Sequence, residues 1–134
     1  RPAYQKPIVR NNGRGGERSA LAAAHLFKPA AATGHIGAIF AIGALYESGE
    51  GLTLDRKAAQ KWFAAAAERG HGHAQLLLGR YLSKGVAGEY DPVAGRIWLE
   101  RAASQGIDDA ADELAGFRAR REGLGRSTAM VPRG

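Results

Sequence analysis

The sequence predicts an all-α fold, a short α/α solenoid of antiparallel helix pairs. The stretch "DRKAAQKWFAAAAERG" at residues 55–70 returns in outline as "DPVAGRIWLERAASQG" at residues 91–106. Asp, Ala, Trp, Ala-Ala and Gly recur at an offset of about 36 residues, a length typical of solenoid repeats. Beyond about residue 18, apolar residues recur at helical spacing in segments of about 12–15 residues punctuated by glycine. No segment alternates polar and apolar residues as a half-buried strand does.

Residues 1–18, "RPAYQKPIVRNNGRGGER", combine prolines and glycines with little periodicity and read as a basic extended arm. Residues 19–33 read as a partial second helix of a repeat, because Leu26, Ala30, Ala31 and Gly34 fall in the register of Trp62, Ala66, Ala67 and Gly70. Pro29 is expected to kink or split that helix, which caps one end of the array. A first helix of a pair, designated A, spans 36–48 and stops at Gly49. Its partner, designated B, spans 55–69: Asp55 can accept the free N–H groups of the first turn, and Gly70 ends the helix. The next A helix spans 73–84 before Gly85. The next B helix spans 91–105, with Asp91 as cap, Pro92 at the first helical position and Gly106 at the end.

A last helix is expected over 108–122, with Ala110 and Leu114 in the register of Ala74 and Leu78. Asp108, Asp109, Asp112 and Glu113 lie near its positive end and Arg118, Arg120 and Arg121 near its negative end, the order that the helix dipole favours. This helix caps the other end. The domain reading is therefore an arm over 1–18, a solenoid over 19–122 and a tail over 123–134. Trp62 and Trp98, at matching positions, are expected to be largely buried between layers, so that Trp62→Ala costs ~3–5 kcal/mol.

Composition bounds the function. The net charge of +6 is concentrated at the ends. Residues 1–18 hold Arg1, Lys6, Arg10, Arg14 and Arg18 against Glu17, and residues 116–134 hold Arg118, Arg120, Arg121, Arg126 and Arg133 against Glu122. Basic ends of this kind suit an acidic partner, anionic lipid or nucleic acid. Tyr4 and Phe117 are their only aromatic residues, whereas base-stacking platforms need several along one groove, so the pattern argues against nucleic acid. No apolar run approaches the ~20 residues that cross a bilayer, and nothing near Arg1 has the apolar core of an export signal. A soluble chain is expected, in the cytoplasm or exported to the envelope. The heavy use of Ala, Gly and Arg points to a GC-rich bacterial source.

Chemistry-bearing clusters are sparse. The chain has no cysteine and hence no disulfide, thiolate nucleophile or thiolate metal site. His71 and His73 lie close together, but no further ligand joins them at a recognisable spacing, and His35 in the register of His71 marks them as residues of the turn between repeats. "GRGG" at 13–16 lacks the lysine of a phosphate loop. No nucleophile with a nearby base is evident. The expectation is a protein without catalysis, metal or cofactor.

The residues Ala38, Ile42, Gly43, Tyr46, Gly49, Gly51, Asp55, Ala58, Trp62, Ala66, Ala67 and Gly70 together resemble the repeat of the Sel-one-like family of α/α solenoids, relatives of the tetratricopeptide repeat. A second copy keeps Ala74, Leu78, Gly79, Gly85, Asp91, Ala94, Trp98, Ala102, Ala103 and Gly106. It has Leu82 where the family prefers tyrosine and Ala87 where it prefers glycine. The resemblance covers roughly residues 20–120. It implies a right-handed superhelix, a groove lined mainly by A helices, and an adaptor that binds a protein or peptide in that groove. The competing class is a basic-tailed electrostatic binder of nucleic acid or an anionic membrane surface.

The two A helices differ. Gln75, Arg80, Ser83 and Lys84 give the second a polar face, whereas Ile36–Tyr46 is apolar nearly all round. An uncovered apolar patch is a candidate interaction site, which places partner binding on Ile39, Phe40, Ala44, Gln75 and Arg80. The alternative is that the arm or the first helix folds back over Ile39 and Phe40.

Overall fold

The computed structural model describes residues 14–119, and every regular element among them is helical. Helices α1 (Arg14–Ala32), α2 (Ile36–Ser48), α3 (Arg56–Glu68), α4 (Gly72–Lys84) and α5 (Pro92–Ser104) are followed by α6 over 108–119. From α1 to α5, each helix packs on the next. The expected A helices are α2, α4 and α6, and the expected B helices are α1, α3 and α5. Residues 1–13 of the expected arm, the last residues 120–122 of the expected solenoid and the tail over 123–134 lie outside the described residues.

Capping explains the boundaries. Asp55 Oδ1 accepts from the Ala58 amide at 3.0 Å and Asp91 Oδ1 from the Ala94 amide at 3.1 Å, which starts both B helices. The A helices are capped by imidazoles: Nδ1 of His35 accepts from the Ala38 amide at 3.1 Å, and Nδ1 of His71 from the Ala74 amide at 3.0 Å. Gly49 and Gly85 close the A helices at φ 75 and 65, a backbone that costs glycine nothing. The following turns return to the helix by the same bond, Asp55 N to Tyr46 O at 3.0 Å and Asp91 N to Leu82 O at 2.8 Å. Leu82 and Ala87 therefore leave the second turn closed as the first is.

Helix α1 corrects two expectations. It starts at Arg14, inside the stretch read as an arm, and runs through Pro29 as one helix. Pro29 sits in the last turn, where its missing N–H removes one bond, while its carbonyl still accepts from the Thr33 amide at 3.3 Å.

The core lies between the layers. Ala31, Ile39, Ile42, Ala66, Ala67 and Leu78 belong to one buried cluster that joins α1, α2, α3 and α4. Ala59, Phe63 and Tyr81 form a second, and Leu76, Leu99, Ala102 and Ala110 a third under α6. Phe63 and Leu99 are fully buried, whereas Trp62 and Trp98 are only half-buried against the first cluster. The tryptophans pack against the core as expected, but the large side chains that are fully buried in the B helices are those of the next residues, Phe63 and Leu99. The adjacent positions point inward at Gly43 and Gly79, where a Cβ would meet Phe63 at 2.8 Å and Leu99 at 2.7 Å.

Candidate functional site

Each A helix turns one stripe of residues to solvent, and the repeat puts the stripes in register. On α2 the stripe is Gly37, Ala41, Ala44 and Ser48; on α4 it is His73, Leu77, Arg80 and Lys84; on α6 it is Asp109, Glu113 and Gly116. Side chains tie these helices together. Tyr81 donates its hydroxyl to Glu47 Oε2 at 2.8 Å, which joins α4 to α2. Burial and the bond to Glu47 push the Tyr81 phenol well above its ordinary range, so it stays a donor. Arg80 Nε donates to Glu113 Oε2 at 2.7 Å and Lys84 Nζ lies 3.9 Å from Glu113 Oε1, which joins α4 to α6. Between α4 and α6 opens a cleft of about 400 Å³ lined by Arg80, Ser83, Lys84, Asp109, Asp112, Glu113, Gly116 and Phe117.

The five residues expected to bind a partner do not share one surface. Ala44 is half-buried on the stripe of α2, and Arg80, with its side chain 33% exposed, is at the equivalent position of α4. Ile39 is 3% exposed in the cluster that contains Ala31, so α1 covers it. Gln75 is 5% exposed because its amide joins repeats: Nε2 donates to Ala67 O at 3.1 Å and Oε1 accepts from Gln105 Nε2 at 2.9 Å. Neither can meet a partner without opening the core. Phe40 sits at the edge, half-buried, stacked on the His71 ring at 4.4 Å and 5.5 Å from the Phe63 ring. Lys84, Asp109 and Glu113 complete the surface, and the 36-residue register that carries Ala44 onto Arg80 also carries Gly37 onto His73 and Asp109.

His71 is engaged by its own helix. Its Nδ1 holds the Ala74 amide, so the ring proton is on Nε2, and burial, then the neighbouring His73, lower its pKa from the ordinary 6.5. Among the described residues, no group of three His, Cys, Asp or Glu side chains lies close enough to hold a metal. A pH prediction follows from the lowered value. Above pH 6.5 the imidazole is neutral folded and unfolded, and its contribution is complete. As pH falls below 6.5 the unfolded chain takes up the proton first, so stability declines until the pH has passed through the folded value. His71→Asn keeps a capping acceptor and should flatten this part of the profile, whereas His71→Ala should cost about 1 kcal/mol at pH 7.5. Urea midpoints at pH 7.5 and 5.5 check it. An unchanged profile in His71→Asn would remove His71 from the pH response.

Among the described residues, no helix is long and apolar enough to cross a membrane. The Sel1 repeat family model matches residues 10–35, 36–71 and 72–107. No curated protein matches the chain significantly. Among solved structures, a Sel1 repeat protein from Oxalobacter formigenes is similar, with 28% identity and a TM-score of 0.69 over 81% of this chain. So is c5321, a protective antigen of uropathogenic Escherichia coli strains displaying an SLR fold, with 29% identity and a TM-score of 0.73 over 86% of this chain. The chain spans 47% of the first and 25% of the second. Three contiguous matches, the second and third of which span the pairs α2–α3 and α4–α5, place this chain in the Sel1 repeat family of helical-repeat solenoids.

Proposed function

We propose that the chain is a non-catalytic scaffold that captures a protein or peptide on the solvent-facing stripe of its A helices, centred on Ala44 and Arg80. The carrying observation is the cleft between α4 and α6, where cationic Arg80 and Lys84 face acidic Asp109, Asp112 and Glu113. Ala41 and Ala44 leave the neighbouring ridge low. Opposite charges on adjacent ridges suit an extended segment that carries both signs, because each ridge then selects orientation as well as attracting. Sel1 repeat proteins are generally scaffolds for protein interaction, which supports the reading. The bacterial sources of both solved relatives support a bacterial origin.

The test is capture from a bacterial lysate by the full chain and by Arg80→Ala/Lys84→Glu, with mass spectrometry of what is retained. Lys84 is 60% exposed and its contact with Glu113 is 3.9 Å long, whereas the Arg80–Glu113 pair is part-buried, so circular dichroism of the variant checks that its helicity is kept. Capture should fall at least about tenfold, the effect of ~1.4 kcal/mol at an interface. Undiminished capture places the partner elsewhere, and capture lost steeply in moderate salt from both proteins assigns it to the basic ends.

A further inference from the structure

Each helix pair closes one face of its B helix against its own A helix. A Cβ on Gly43 of α2 would meet the Phe63 ring at 2.8 Å and Trp62 Cβ at 3.1 Å, and a Cβ on Gly79 of α4 would meet Leu99 at 2.7 Å. Gly95 of α5 lies against Gly79 and Ser83 in the same interface. Two helices have no such partner among the described residues. Helix α1 is a B helix without an A helix, and α6 is an A helix without a B helix.

Both nevertheless carry the pairing surface. Ala23, Leu26 and Phe27 of α1 stand in the register of Ala59, Trp62 and Phe63. Ala59 and Phe63 are fully buried and Trp62 is half-buried, whereas Ala23 and Phe27 are half-buried and Leu26 is 75% exposed. On α6, Ala115 stands in the register of Gly43 and Gly79, and it is exposed where both glycines are buried. Leu114 is half-buried where Ile42 and Leu78 are buried. The surface that α1 lacks is therefore the surface that α6 offers.

Charge agrees with shape. Helix α1 holds Arg14, Arg18 and Lys28 against Glu17, and α6 holds Asp108, Asp109 and Asp112 against Arg118, with Glu113 engaged by Arg80. In the internal pair, Leu99 lies at Gly79 while Gly95 reaches on to Ser83, so the two helices run in opposite directions. The same arrangement brings Lys28, near the end of α1, to the acidic start of α6, and Glu17 to the end that carries Arg118. Opposite charges so placed fix register as well as attract.

We infer that α1 of a second copy docks on α6 and completes the last pair, so that copies stack end to end through the interface that already joins α2 to α3 and α4 to α5. Phe27 of one copy then covers Ala115 of the other. Because the two faces differ, the contact is head-to-tail and leaves a free end on each side for further copies. The solvent-facing stripe of α2, α4 and α6 continues into the next copy.

Sedimentation velocity of the full chain, of Leu26→Glu and of Ala115→Arg tests this. Both side chains are exposed, so the substitutions leave the core intact, and circular dichroism verifies it. The average mass of the unaltered chain should rise with concentration above 14.1 kDa, while each variant alone stays at that value. An equimolar mixture of the variants should regain association and stop at a twofold mass, because Leu26→Glu keeps its α6 face and Ala115→Arg its α1 face. An unaltered chain that remains single at ~100 µM, where a contact of micromolar Kd is saturated, overturns the inference. A mixture that stays single also overturns it, and so does a variant that pairs with itself, which would mark a twofold contact between like faces.

Discussion

Phe63→Ala is expected to destabilise the solenoid by about 3–5 kcal/mol, and Trp62→Ala by less. Phe63 is fully buried. Its ring lies 5.5 Å from that of Phe40 and meets the ring of Tyr81 edge-on at 5.7 Å, and aromatic pairs of this kind contribute ~0.5–1.5 kcal/mol beyond burial. Phe40 belongs to α2 and Tyr81 to α4, so the ring of Phe63 joins two repeats as well as the two helices of its own. The half-buried Trp62 vacates less interior volume on truncation. Because each repeat is stabilised through its neighbours, loss at the central helix uncouples both sides. Equilibrium urea unfolding of the two variants decides the order. A larger loss in Trp62→Ala would mean that the layers meet at the tryptophans.

That reversal shows where the sequence is legible and where it is not. Asp55 and Asp91, with the glycines that end each helix, have local roles, and local chemistry reads directly: every helix from 36 to 104 begins and ends within one residue of its expected place. Burial is set by neighbours. Trp62 and Trp98 repeat in identity and so draw attention, whereas Phe63 and Leu99 repeat only in being apolar, yet these turn inward. The start of α1 is hidden in the sequence because glycines and arginines at 13–18 resemble an arm.

The candidate site was half legible for the same reason. Ala44 and Arg80 follow from repeat register. Ile39 and Gln75 share a register with each other, and one is covered by α1 while the other is sequestered by Gln105, contacts that no local pattern announces. The pairing of Arg80 with Glu113 spans 33 residues and three helices. The imidazole caps have a visible signal, since His35 and His71 sit one repeat apart immediately before helical periodicity, but Ser, Thr, Asp and Asn are the usual residues there.

The second large effect concerns how closely the two helices of a pair approach. Between α4 and α5 the contact is backbone on backbone: a Cβ on Gly95 would lie 2.7 Å from Gly79 O and 2.8 Å from Ser83 N. In the preceding pair, fully buried Ala59 occupies the position of Gly95, and the atoms nearest to a Cβ on Gly43 are side-chain atoms of Phe63 and Trp62. The larger set, Ala59 with Phe63, keeps α2 and α3 apart. The smaller set, Gly95 with Leu99, lets α4 and α5 close. Gly95→Ala should therefore destabilise by about 1–3 kcal/mol although alanine is favoured by ~1 kcal/mol within a helix. Leu99→Phe alone overfills the same interface at a similar cost of ~1–3 kcal/mol. The double variant Gly95→Ala/Leu99→Phe rebuilds the set found in the preceding pair, so its loss should be smaller than the sum of the single losses by at least ~1 kcal/mol. Urea unfolding of the three variants measures that coupling, and losses that add to within ~0.5 kcal/mol would show that side-chain volume does not set the helix spacing.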